Sequence, residues 1–81
     1  MSNLEKLQAL LVDVFLIDPS KVTMNLMREE VDSWDSLGVV SLEVGLKETF
    51  SVKLSPQEAG AIRSVQDIVT LLTSKGIDFS S

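Results

Sequence analysis

The chain has 81 residues, 44 % of them apolar, and a formal net charge of -5 from 7 Lys+Arg against 12 Asp+Glu. It is too apolar for an acidic disordered tail, and its length fits one domain over residues 1–81 with a limited core. Cysteine and histidine are both absent. Disulfides, thiolate metal sites, the commonest zinc ligand and the commonest general base are thereby excluded, and the acidity argues against a nucleic-acid partner.

Leu4, Leu7, Leu11, Val14 and Phe15 recur at three- and four-residue steps, with Glu5, Gln8 and Asp13 off that stripe, which predicts an amphipathic first helix. Ser2 and Glu5 have the spacing of a capping box. Asp18-Pro19 is expected to end the helix, because the residue before proline is pushed out of helical geometry. Glu5, Lys6 and Asp13 interrupt the apolar N-terminus, and no small-residue cleavage site follows, so it does not read as a signal peptide. No stretch approaches the ~20 apolar residues that span a bilayer. A soluble cytoplasmic protein, without membrane insertion, is the expectation.

From Ile17 to about Asp35 there is no clean helical period. Val22, Met24, Leu26 and Met27 are scattered apolar anchors, which predicts a long ordered loop with room for a helical turn near Asn25 to Glu29. Loops of this length in small domains tend to be functional. A second helix should run from Ser36 to about Phe50 with Asp35 as its N-cap. Ser55-Pro56-Gln57-Glu58 combines a capping box with proline at the first helical position, and Gly60 soon afterwards predicts a short third helix. Ser64 and Asp67 repeat the cap-like spacing before a stripe of Val65, Ile68, Val69 and Leu72, with Gly76 as the C-terminal stop. No strand alternation competes, so the fold class is all-α: three main helices and one short one.

Charge is concentrated. Residues 28–48 hold Glu29, Glu30, Asp32, Asp35, Glu43 and Glu48 against Arg28 and Lys47, which is most of the net negative charge. Such a run is either a solvated helix face or a docking surface for basic partners, where complementary charge speeds encounter and sets register. On a helical wheel at ~100° per residue, Val39, Leu42, Leu46 and Phe50 form the expected core stripe. Leu37, Val40 and Val44 form a second apolar group in a different sector. One stripe suffices for a bundle, so the second is either wider burial or an exposed contact patch.

That second group begins beside Ser36. A serine at a helix start is most often a cap or merely polar. As a hydrolytic nucleophile it would need a base, and without histidine no Ser-His triad is possible. Trp34 stands where a Gly-x-Ser-x-Gly elbow needs its first glycine, and no strand precedes the serine, so that motif is not met either. What the position does offer is an anchor for a phosphate ester, facing free N–H groups and the positive end of the helix dipole.

Trp34-Asp35-Ser36-Leu37-Gly38, followed by Val40, Leu42, Leu46, Glu48 and Phe50, resembles the acyl carrier protein family, whose hallmark is Asp-Ser-Leu at the start of the second helix of a four-helix bundle. The resemblance covers nearly the whole chain, including Phe50-Ser51-Val52-Lys53-Leu54, which is similar to the family's Phe-Gly-Val/Ile stretch. It implies a non-enzymatic, monomeric carrier with 4'-phosphopantetheine, transferred from coenzyme A, on Ser36. Asp35 would serve transferase recognition and Leu37 would lie beside the arm. Val40, Glu43, Val44, Lys47 and Glu48 would meet partners: a phosphopantetheinyl transferase, and acyl-transferring or acyl-activating enzymes with basic docking surfaces.

The chain departs from the family pattern at Gly38, Ser41 and Lys47, positions that are often acidic in fatty-acid-synthesis carriers, and Lys47 reverses a charge on the docking helix. The Trp-Asp-Ser-Leu-Gly variant resembles specialised carriers more than the housekeeping one. Fatty-acid, polyketide and aminoacyl or peptidyl pathways stay open. A reading from another class is an unmodified acidic helical adaptor that binds a basic partner through residues 28–48.

Overall fold

The computed structural model describes residues 2–79. Within them lie four helices, α1 (Asn3–Phe15), α2 (Ser36–Phe50), α3 (Pro56–Ala61) and α4 (Val65–Ser74), with two 3-10 turns, Pro19–Lys21 and Arg28–Glu30, in the link between α1 and α2. The fold class is the all-helical, four-helix one expected from sequence.

Local chemistry sets most helix starts. Ser2 Oγ accepts from the Glu5 N–H at 3.1 Å while the Glu5 carboxylate accepts from the Ser2 N–H at 3.1 Å. The same reciprocal pair forms between Ser55 and Glu58 ahead of α3, and Ser64 Oγ accepts from the Asp67 N–H ahead of α4. Each satisfies donors that a helix start leaves without intrahelical partners. At the end of α4, Gly76 takes a left-handed φ of 94°, and its N–H and that of Ile77 close onto Thr73 and Leu72 carbonyls. Gly76 thus stands where the sequence placed the stop.

The end of α1 differs from expectation. The helix stops at Phe15, where Leu16 adopts a left-handed φ of 54° and donates its N–H to the Val12 carbonyl at 2.9 Å. Asp18-Pro19 opens a structure instead of closing one: Asp18 caps the first 3-10 turn through the Ser20 N–H at 2.9 Å, and Pro19 occupies its first position. Proline lacks only a donor that the first turn would leave unused anyway.

The long link between α1 and α2 is ordered because its backbone finds partners on the α3–α4 connection and the first turn of α4. Arg28 donates its N–H to the Arg63 carbonyl at 2.7 Å, Val65 to Leu26 at 3.0 Å, and Gln66 to Met24 at 3.2 Å. The helical turn anticipated near Asn25 to Glu29 forms slightly later, at Arg28–Glu30, where the Glu30 carboxylate accepts from the Met27 N–H at 3.0 Å. Of the expected anchors Leu26 is buried, Val22 and Met24 are half-buried, and Met27 is exposed. Val31 and Trp34 also enter the core, beside Leu7, Leu11 and Phe15 of α1, Leu42, Leu46 and Phe50 of α2, and Ile68 and Leu72 of α4.

Candidate functional site

The segment entering α2 is held by constraints from three directions. Trp34 is 3 % exposed and stacks on Phe15, with ring centroids 4.9 Å apart and an interplanar angle of 21°. Arg28 Nε–H donates to the Trp34 carbonyl at 2.9 Å, and Ser33 Oγ donates to the Phe15 carbonyl at 2.9 Å. Gly38, one turn into the region, is buried against the Ser33 carbonyl, and a Cβ there would collide with that oxygen.

This frame presents the start of α2. Asp35 Oδ1 accepts from the Gly38 N–H at 2.9 Å, which makes it the N-cap that the sequence predicts. Ser36 is the first helical residue and is exposed. Among the described residues its hydroxyl has no hydrogen-bond partner, whereas the Ser33 hydroxyl is already engaged.

The two stripes of α2 separate cleanly. Leu42, Leu46 and Phe50 are buried and Val39 is half-buried. Leu37, Val40 and Val44 are 79 %, 56 % and 50 % exposed, an apolar patch that starts beside Ser36. Ser41, Lys47 and Glu48 are exposed and Glu43 is half-buried. Among the described residues Lys47 forms no ion pair; the ion pair found there joins Lys75, at the end of α4, to Glu58 of α3 at 3.1 Å. That lysine and the Ser55 N–H hold the Glu58 carboxyl below its ordinary pKa, the Ser55 hydrogen bond contributing most.

Sequence reasoning placed Asp35, Ser36, Leu37, Val40 and Val44 along one helix, and the structure sets them there. It did not foresee Arg28 and Ser33 as the groups that fix this segment. Nothing in local spacing signals their contacts, because both reach across the loop to backbone carbonyls. Among the described residues no group of His, Cys, Asp or Glu is placed to hold a metal ion, and no helix is long and apolar enough to cross a membrane.

Four helices with Asp-Ser-Leu at the start of the second define a small bundle of the acyl-carrier type. No family model matches the chain. Among curated proteins it is similar to the acyl carrier protein of Thermosynechococcus vestitus (strain NIES-2133 / IAM M-273 / BP-1), 35 % identical over 72 residues that cover 89 % of each chain. It is also similar to the acyl carrier protein of Helicobacter hepaticus (strain ATCC 51449 / 3B1), 32 % identical over 72 residues, 89 % of this chain and 95 % of that one. The chain belongs to the acyl carrier protein family. Members of that family generally carry phosphopantetheine and act as carriers for biosynthetic enzymes.

Proposed function

We propose that this chain, acting as one unit over residues 1–81, carries acyl groups as thioesters on a 4'-phosphopantetheine arm attached to Ser36 and passes them between enzymes. The observation that carries the reading is the state of Ser36: exposed, at the first position of α2, with no internal hydrogen bond among the described residues. The donor set fits a phosphodiester, since the first N–H groups of a helix lack intrahelical acceptors and its dipole favours an anion. When bound, the arm supplies the thiol that a cysteine-free chain lacks. Asp35 fixes the helix start, and Leu37, Val40 and Val44 offer transferase and acyl-transferring enzymes an apolar footing beside the attachment point. Catalysis belongs to those partners.

Lys47 supports a specialised pathway over general fatty-acid synthesis, because it places a cation on the face that basic docking surfaces would approach.

Incubation with coenzyme A and a broad-specificity phosphopantetheinyl transferase, followed by intact-mass spectrometry, tests the attachment. One phosphopantetheinyl mass is expected on the wild type and on Ser33→Ala, and none on Ser36→Ala. A gain that survives in Ser36→Ala overturns the assignment, and no gain in the wild type favours the unmodified adaptor.

A further inference from the structure

Left-handed residues follow the ends of α1, α2 and α4: Leu16 with a φ of 54°, Ser51 with 57° and Gly76 with 94°. Glycine meets no Cβ clash in that backbone, and a serine there keeps a polar side chain in water. Leu16 does neither. It holds an apolar side chain on a backbone that L-residues disfavour, and at 87 % exposure it is the most exposed large apolar residue among those described. Its neighbours Phe15 and Ile17 are buried and half-buried, so the exposure belongs to this one side chain. A glycine would end the helix with less strain, and strain kept with no packing to offset it points to a functional contact.

We propose that Leu16 anchors the phosphopantetheinyl transferase, its side chain entering an apolar pocket with a basic rim on that enzyme. The inference rests on attachment at Ser36 and adds the end of α1 to the footing on α2. The two surfaces adjoin. The Phe15 carbonyl accepts from Ser33 Oγ at 2.9 Å, and a Cβ on Gly38 would stand 3.2 Å from Phe15 Cε1. Leu16 and Leu37 are the exposed chain neighbours of Phe15 and Gly38, so Leu16 leaves the bundle at the Ser36 end. Charge points to the occupant. Asp13 and Asp18 lie either side of Leu16 in the chain, and Asp32 and Asp35 flank the Ser33–Trp34 pair that holds Phe15; all four are exposed. The Asp13 and Asp32 carboxylates have no ion pair or hydrogen bond among the described residues, while Arg28 is half-buried and turned to the Trp34 carbonyl. The transferase holds coenzyme A, a polyanion, so the surround of its site is cationic. It must also close on Ser36 itself, whose Oγ takes the phosphopantetheine as 3',5'-ADP departs and its proton passes to a base on the enzyme. Acyl-transferring enzymes meet only the thiol at the far end of the arm, so the transferase is the partner whose contact has to include the ground beside Ser36.

Leu16→Gly separates this role from a structural one, because glycine takes the left-handed backbone without strain and removes only the exposed side chain. Its urea midpoint should match the wild type or rise. In a phosphopantetheinylation assay with a broad-specificity transferase, its KM should rise about fivefold or more at unchanged kcat, the pattern of lost docking. Leu16→Met keeps an apolar side chain and should retain most of the wild-type KM. Asp13→Asn combined with Asp32→Asn should also raise KM, by a factor that shrinks at high salt. Calorimetry with the same transferase and coenzyme A reads docking without modification: Leu16→Gly in a Ser36→Ala background should bind about fivefold or more weakly than Ser36→Ala alone. A mass gain that survives in Ser36→Ala, or none on the wild type, would fail the attachment, and the calorimetric comparison still decides the docking. A Leu16→Gly variant with wild-type KM and binding, or one whose urea midpoint falls, would overturn the anchor.

Discussion

At Gly38 a side chain has nowhere to go. The space a Cβ would take is filled by the Ser33 carbonyl, a backbone group pinned by the Ser33 hydroxyl on Phe15 and by the Trp34–Phe15 stack. Gly45 is tight in a different way: its Cβ would approach Leu10 Cδ1 to 2.5 Å, and that is the far end of a rotatable side chain. Alanine at either position gains up to ~1 kcal/mol of helix propensity, so the sign of the change is set by what must move. Gly38→Ala should destabilise by about 1–3 kcal/mol, the usual cost of overpacking, and should slow phosphopantetheinylation by displacing the segment that presents Ser36. Gly45→Ala should be close to neutral in both respects. Urea denaturation and a transferase time course on the two variants check this, and equal effects would show that Gly38 is dispensable to the geometry of the site.

The second helix carries two apolar faces, one buried and one exposed. Leu46, fully buried, belongs to the core, and Leu46→Ala should cost about 2–5 kcal/mol. Val44 is half exposed, so Val44→Ala should cost much less stability while weakening partner binding. Chemical denaturation that ranked Val44 above Leu46 would reverse the assignment of the stripes. This division was legible in the sequence because a helix converts spacing directly into faces, and the capping boxes at Ser2 and Ser55 were legible because they involve neighbours three residues apart. The end of α1 was not. Leu16 takes a left-handed backbone that carries no sequence signature in a leucine, and the proline that seemed the natural stop proved useful to a later turn. The loop was the least readable element, since Leu26, Met24 and Arg28 find their partners on Val65, Gln66 and Arg63, far along the chain. At the site the motif residues could be read as a string, while the groups that hold the string in place could not.

Across the whole molecule the charge is lopsided: six of the twelve acids lie in residues 28–48, and only Arg28 and Lys47 offset them there. Arg28 is turned to the Trp34 carbonyl, so Lys47 is the cation left on the exposed part of α2. Rim charges act mainly on association rate and salt dependence, and a like charge opposite a basic surface also discriminates against partners that expect an acid. The chain should therefore be a poor substrate for general fatty-acid-synthesis enzymes while a promiscuous transferase still modifies it. Lys47→Glu combined with Ser41→Glu should raise turnover in a malonyl-transfer assay with such an enzyme. Screening shortens the Debye length from ~10 Å at 0.1 M to ~3 Å at 1 M salt, so the gain should shrink at high ionic strength. Both substitutions lie on exposed positions and leave the core untouched, which separates an encounter effect from a folding one. If the wild type already matches a housekeeping carrier at low salt, Lys47 does not select partners, and the specialised pathway loses the residue that argues for it.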